Sequence, residues 1–364
     1  MKKLYLALAA FALVIFATLN VNAQGGFSEI IKVSPGDATK LIDAYGQPLF
    51  KGIGVGMNSG WANTAKVKKV LHFDLRVTAT AAFTPSSDKS FDVTKIGLSG
   101  AVTPATSQTI TPTIGGETSN AGVALNINNS NGKAVATFNM PKGYLPVTPT
   151  PQIQLTVGLP ERTDLTIRYI PTVSGGNNVG SVNMIGFGLK HDLTKYMFGP
   201  AKTLVPFDLS VLFAYSRMNL RANLNVQPDN GTVHDPNDPN TNTNFSGQHT
   251  DAHFNSFLGE AIISKKILFF TPFLAVGYNT ANTTLAAIGN YPATTSSQTT
   301  IGTGGVKTTT YYSVYTNPVN LHETSISGAR VDVGFQLDLA FFRIYASGSL
   351  AKYKSVNAGI GFGF

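Results

Sequence analysis

Period-two alternation of apolar and polar residues recurs along most of this chain. Leu71, Phe73, Leu75 and Val77 share one face of an extended segment, and His72, Asp74, Arg76 and Thr78 share the other. Ile153, Leu155, Val157 and Leu159 oppose Gln152, Gln154, Thr156 and Gly158, and Leu165, Ile167 and Tyr169 oppose Asp164, Thr166 and Arg168. The longest run sets Val331, Val333, Phe335, Leu337, Leu339 and Phe341 against Arg330, Asp332, Gly334, Gln336, Asp338 and Ala340. In the last nine residues, Val356, Ala358, Ile360, Phe362 and Phe364 alternate with Asn357 and glycines. Such alternation is the signature of β-strands. A soluble sheet turns its apolar face inward, whereas a membrane barrel turns it to lipid and leaves the inner face small or polar.

Further strands read at about 180–191, 206–218, 251–263, 266–279 and 343–352, and Ile53, Val55 and Met57 alternate with glycines in another, for eleven visible strands. Tight turns at Pro160–Arg162, Ser264–Lys265 and Phe341–Arg343 contrast with long polar connections at 225–249 and 290–325. Unequal connections of this kind belong to transmembrane barrels, which also have an even strand number. Parity therefore asks for further strands, and only 84–150 has room: Phe91–Ser99, Gly122–Asn128 and Lys133–Met140, the last two joined through Asn129–Gly132 or forming a hairpin outside the wall. The expectation is an all-β, antiparallel, up-and-down transmembrane barrel of 12 to 14 strands over residues 51–364, irregular over 84–150.

Ahead of the strands, Met1–Lys3 and the apolar run Leu4–Leu19 lead to Val21–Asn22–Ala23, the order of a secretory signal peptide spanning 1–23 and cleaved between Ala23 and Gln24. The run is shorter than the roughly 20 residues that a spanning helix needs. Ser34 as N-cap and Pro35 at the first position open a short helix over Ala38–Tyr45, ended by Gly46 and Pro48. Residues 24–50 thus read as a leader or a plug entering the barrel.

Composition agrees with this picture. Charged residues are 13% of the chain, below the roughly 25% of soluble domains, while Gly is 36 of 364 residues and Phe and Tyr add 23 and 13. With no cysteine, lipid attachment at a cysteine, disulfides and zinc–thiolate sites are excluded. The net charge of +8, to which Lys2 and Lys3 contribute two, is spread without a basic run of 5 to 8 residues, so no nucleic-acid partner is expected. Outer-membrane lipid is the expected surroundings.

Candidate chemistry lies on the polar faces. His72, Asp74, Arg76, Asp164, Arg168, Asp208, Arg330, Asp332, Gln336 and Asp338 are expected to face the lumen. They read first as an ion-pair network that stiffens the barrel and second as pore lining, because buried charges need partners in either case. His249, Asp251 and His253 alternate so as to share a face, but with no second ligand cluster they read as polar residues leaving a loop. The oxygen-rich run Gln227–Asn240 lacks EF-hand spacing and reads as an exposed loop. Local hydrolase, zincin and phosphate-loop motifs are absent, so no cofactor and no enzymatic activity are expected. Trp61 and the tyrosines read as interfacial girdles.

With its leader helix, the Gly52–Met57 segment, the Gly158–Thr163 turn and the closing Gly–Phe–Gly–Phe364, the chain resembles uncharacterised Gram-negative outer-membrane barrels loosely similar to FadL-type transporters. The resemblance implies a plugged barrel that passes hydrophobic ligands. The nearest counterpart of that family's Asn-Pro-Ala motif is Ser59–Gly–Trp–Ala–Asn63, and no binding residue carries over. The terminal strand, with Val356, Ile360, Phe362 and Phe364, resembles the signal read by the barrel assembly machinery. The expected role is an outer-membrane channel or transporter for small molecules, hydrophobic ones among them. A surface-interaction barrel and, behind it, an envelope hydrolase are the alternatives.

Overall fold

The computed structural model describes residues 28–119, 121–175, 180–199, 205–302 and 305–363. The signal peptide with its Ala23–Gln24 junction, and Phe364, lie outside the described residues. Ten strands form a closed antiparallel barrel: β1 (Phe73–Phe83), β2 (Val147–Leu159), β3 (Thr163–Ser174), β4 (Ser181–Asp192), β5 (Asp208–Asn223), β6 (His249–Ser264), β7 (Phe270–Ile288), β8 (Val319–Leu339), β9 (Phe342–Leu350) and β10 (Ser355–Gly363). Each strand pairs with the next in sequence, and β10 closes the ring on β1 from Asp74↔Gly363 to Ala82↔Ser355. The connections 160–162, 265–269 and 340–341 lie at one end, and the much longer 84–146, 224–248 and 289–318 lie at the other.

Alternation sorts the two faces. Ile185, Phe187 and Leu189 of β4, Phe213 and Tyr215 of β5, and Phe257 of β6 are exposed on the outside. Their neighbours in sequence are buried inside. A continuous apolar outer surface of this kind needs an apolar solvent. Toward the long-loop end the outer face turns polar, with Arg217 and Arg221 following Tyr215 on β5.

The strand number is ten, not 12 to 14, and two local readings account for the difference. The segments expected between 84 and 150 do not enter the wall. Ala124–Asn128 and Ala134–Asn139 form a hairpin that pairs with Val102–Pro104, and Ser90–Asp92 pairs with Ile110–Pro112. Likewise Asn290–Gly302 and Gly305–Thr316 build a hairpin of their own. Residues 52–57 are not a strand but the end of helix α1, Pro35–Met57.

That helix continues through Gly46 and Pro48, which were expected to stop it. Proline removes one intrahelical hydrogen bond, a local cost that tertiary packing overrides here. Gly46 is needed because a Cβ there would stand 2.5 Å from the Phe50 ring. Gly52, Gly54 and Gly56 show why the pattern misleads. On a helix, residues 52 and 56 lie on one side and residue 54 on the opposite side. A Cβ at Gly52 or Gly56 would meet Thr148 or Thr150 of β2, and one at Gly54 would meet Ala281 and Ile326 of β7 and β8. Stripped of side chains on both sides, α1 fits between opposite walls of a narrow barrel.

The ladder between β2 and β3 covers only Gln154↔Arg168 to Leu159↔Thr163, although β2 pairs with β1 along Val147–Val157. Bonds from Thr84 N to Pro146 O and from Gly158 N to His72 O show that even-numbered β2 residues face β1. Pro149 and Pro151 therefore face β3, where each lacks the N–H that a ladder requires.

Candidate functional site in the barrel lumen

The interior is graded along its axis. Toward the long-loop end the inward residues are apolar, including Ile170, Val182, Met184, Met218, Phe254 and Leu285. Toward the short-turn end they are polar and charged on β1 to β3 and β8, while Leu212, Leu258, Ile262 and Phe273 pack as an apolar patch with Trp61. The helix α1 enters from the long-loop end, where Tyr45 Oη donates to Lys142 O and Asp37 accepts from Ser99. Residues 58–70 then continue through the polar half to the start of β1.

The last carbonyls of a helix have no intrahelical partner and carry the negative end of its dipole. Here the wall supplies donors. Arg168 Nη1 donates to Met57 O at 2.7 Å and its Nη2 to Ser59 O at 3.0 Å and Gln154 Oε1 at 3.0 Å. Arg76 Nη2 donates to Trp61 O at 3.0 Å, and Arg330 Nη2 to Ser59 Oγ at 2.9 Å. Gln152 reaches Gly56 O at 2.7 Å and Gln154 reaches Trp61 O at 3.1 Å. Arg168 is fully buried and has no ion pair among the described residues. Its charge is met by carbonyls and by the Trp61 ring, 3.9 Å from the guanidinium carbon.

Trp61 itself is buried, not part of an interfacial girdle. It lies against Gly186 and Gly188, where a Cβ would come within 3.1 and 2.9 Å of the ring. Lower down, Lys190 Nζ donates to Thr64 O and Lys66 O, both at 3.0 Å, and pairs with Asp164 at 3.1 Å, while Asp164 accepts from Lys68 N at 2.8 Å. Wall side chains thus read the backbone of the central segment from residue 56 to residue 68.

The residues singled out from sequence fall into two groups. Asp74, Arg76, Asp164, Arg168, Arg330 and Asp332 are buried inside, with Arg330 holding Asp332 through two bonds of 2.7 and 2.8 Å. Asp74 accepts from Arg343 at 2.5 Å and from Tyr345 at 3.0 Å. Gln336 and Asp338 are half-buried near the short-turn mouth, and Asp208 is half-buried at the start of β5. His72 precedes β1, where the chain is still turning at Leu71, whose φ is 64°, and is exposed at the short-turn mouth. His249, Asp251 and His253 share the outer face of β6. His249 and Asp251 approach to 3.5 Å, but Asp251 also pairs with Arg221 at 2.8 Å and His253 turns to Asn219 at 2.7 Å, so the three do not form one cluster. No metal-holding cluster occurs among the described residues. Gln152, Gln154, Lys190 and Trp61 were missed, although the inward alternation of β2 and β4 was a signal for the first three.

Two cavities flank the central segment. One, about 220 Å³, is almost wholly apolar and lies between Ile42, Tyr45, Leu49 and Phe50 of α1 and Leu220 and Leu285 of the wall, with Leu224 from the 224–248 connection and Ile114 and Tyr144 from the 84–146 connection. The other, about 300 Å³, lies at the short-turn mouth, where Lys66, Lys68, Lys69, Lys266, Arg343 and His72 surround it.

Burial lowers Lys68 to about 8, against the pull of Asp74 and Asp164. The native state therefore releases this proton before the unfolded chain does, so stability is expected to rise as pH climbs from about 8 toward the ordinary lysine value of 10.5. Denaturant midpoints across that interval check this, and Lys68→Met should flatten the rise.

Over residues 1–364 the sequence matches a family model described as a family of unknown function, DUF6588. No curated protein matches the sequence. Solved structures similar to the chain are outer-membrane β-barrels. They include the outer membrane protease OmpT from Escherichia coli (8% identity, TM-score 0.31, 84% of this chain and 100% of that chain). The translocator domain of the autotransporter NalP from Neisseria meningitidis matches at 11% identity and TM-score 0.28, over 81% of this chain and 90% of that chain. The Pseudomonas putida toluene transporter TodX matches at 11% identity and TM-score 0.18, over 88% and 97%.

Proposed function

The chain belongs to DUF6588, and we propose that it is an exported outer-membrane barrel that takes up a small apolar molecule at its outer mouth, with α1 as the plug of its lumen. The observation that carries this reading is the apolar pocket between α1 and the wall. An apolar, concave pocket edged by a few polar groups is the form that small-molecule sites take, and at about 220 Å³ this one suits a small occupant. The exposed aromatic and aliphatic surface supports insertion in a bilayer, and β10 would present Val356, Ile360 and Phe362 to the assembly machinery. In this orientation the long connections and the start of α1 face outward, and the short turns face the periplasm.

Onward passage requires the plug to shift, since the polar half of the lumen is filled by residues 58–68 and the side chains bound to them. No chemical step is assigned to the site: Asp74, Asp164 and Asp332 each face a cation, and the buried Glu260 lies beside Asp332. Binding of a fluorescent apolar amine such as N-phenyl-1-naphthylamine to the detergent-solubilised protein tests the pocket. Leu49→Glu places a charge among apolar groups and is expected to weaken binding about tenfold or more, while retained heat-modifiable migration shows an intact barrel. Unchanged binding in that variant would rule the pocket out.

The filled lumen favours a second reading, a surface-interaction barrel whose outer hairpins bind a partner without transport. Solute uptake into vesicles separates the two.

A further inference from the structure

We propose that the cavity at the short-turn mouth is a binding site for a small multivalent anion carrying phosphate or carboxylate groups. Its walls bring together Lys66, Lys68, Lys69, Lys266 and Arg343 with a single carboxylate, Asp338. Asp338 is shared between Lys266 at 2.8 Å and Arg343 at 3.3 Å. The deeper Asp74 is divided among Arg343 at 2.5 Å, Arg76 at 3.4 Å and Lys68 at 3.9 Å. Lys66 and Lys69 are left with no ion-pair partner among the described residues, and both are exposed.

The cationic excess is therefore concentrated in a concave space of about 300 Å³. A smaller polar void of about 20 Å³ adjoins it through the shared residues Thr64, Lys68 and Gln336 and ends against Trp61 and Arg76. Low-dielectric walls around charges of one sign focus the field on a bound counter-ion. One charge would leave most of this excess unmet, whereas two or more acidic groups at the width of the cavity would answer it. The occupant is either a free anion or the phosphate of a lipid headgroup beside the mouth. The two share one chemistry.

Calorimetric titration of pyrophosphate into the full chain, folded in zwitterionic detergent at low ionic strength, tests the site. Saturable one-site binding is expected, and the double variant Lys66→Gln/Lys69→Gln should weaken it about tenfold with heat-modifiable migration preserved. Lys133→Gln, on the distant 84–146 connection, should leave it unchanged. Absence of saturable binding, equal affinity in the double variant, or an equal loss in Lys133→Gln would overturn the proposal. In nanodiscs, loss of pyrophosphate binding with phosphatidylglycerol but not with phosphatidylcholine would identify the lipid headgroup as occupant. Binding kept in both would identify the free anion.

Discussion

Replacing Arg168 with alanine is expected to loosen α1 and the segment after it from the barrel wall and, if α1 acts as the plug proposed above, to let the barrel conduct. The guanidinium is fully buried and holds two carbonyls at and just past the helix end, Met57 O and Ser59 O, with its face against Trp61. Alanine leaves Ser59 O without its donor and Met57 O with only Trp61 Nε1, at 3.0 Å, at the negative end of the helix, and hydrogen bonds from a charged donor are worth about 1.5–3 kcal/mol each. A loss of about 3–5 kcal/mol follows, enough to populate states in which residues 58–66 leave the wall. Planar-bilayer recordings should show more frequent openings than the unaltered chain gives, together with a lower denaturant midpoint. Lysine should rescue little of this, because a single ammonium cannot span both carbonyls as the fork does.

The second large effect is steric. Gly52→Val and Gly56→Val drive side chains into Thr148 and Thr150, where even a Cβ would lie 2.3 and 2.1 Å from the hydroxyl oxygens. Overpacking of this kind costs about 1–3 kcal/mol per site, and the two sites share one contact surface, so the double variant should either lose the seated helix or fail to close the barrel. Thermal or denaturant unfolding measures the first outcome and heat-modifiable migration the second. Gly36→Ala, at a position with nothing within 4 Å, is the matched control and should be close to neutral.

Much of the wall was legible because lipid and lumen impose opposite demands on alternate residues. Ten of the eleven alternating segments read from sequence are wall strands, and the inward positions of Asp74, Arg76, Asp164, Arg168, Arg330 and Asp332 follow from their parity. The eleventh segment failed for a physical reason. Glycine at every second position between Ile53 and Met57 satisfies a strand pattern, but on a helix it removes side chains from two opposite sides. Parity had already signalled an odd count, and the remedy was to remove one strand instead of adding more.

The apolar half of the lumen was illegible for a related reason. Met184, Met218 and Phe254 face inward where polar residues are the rule, and only the presence of α1 and the 84–146 connection makes an apolar lining favourable there. The partners of Arg168 were hidden too, since backbone carbonyls about a hundred residues away leave no side-chain signal.

The central claim is that α1 lies inside the barrel against β6, and a photo-crosslinking amino acid at Phe50 tests it most directly. The Phe50 and Phe254 ring centroids are 6.4 Å apart. Irradiation of the folded protein in membranes should join residue 50 to the peptide carrying β6, His249–Ser264, while denatured protein should give no such product. Crosslinks to lipid, or none within the chain, would contradict the account.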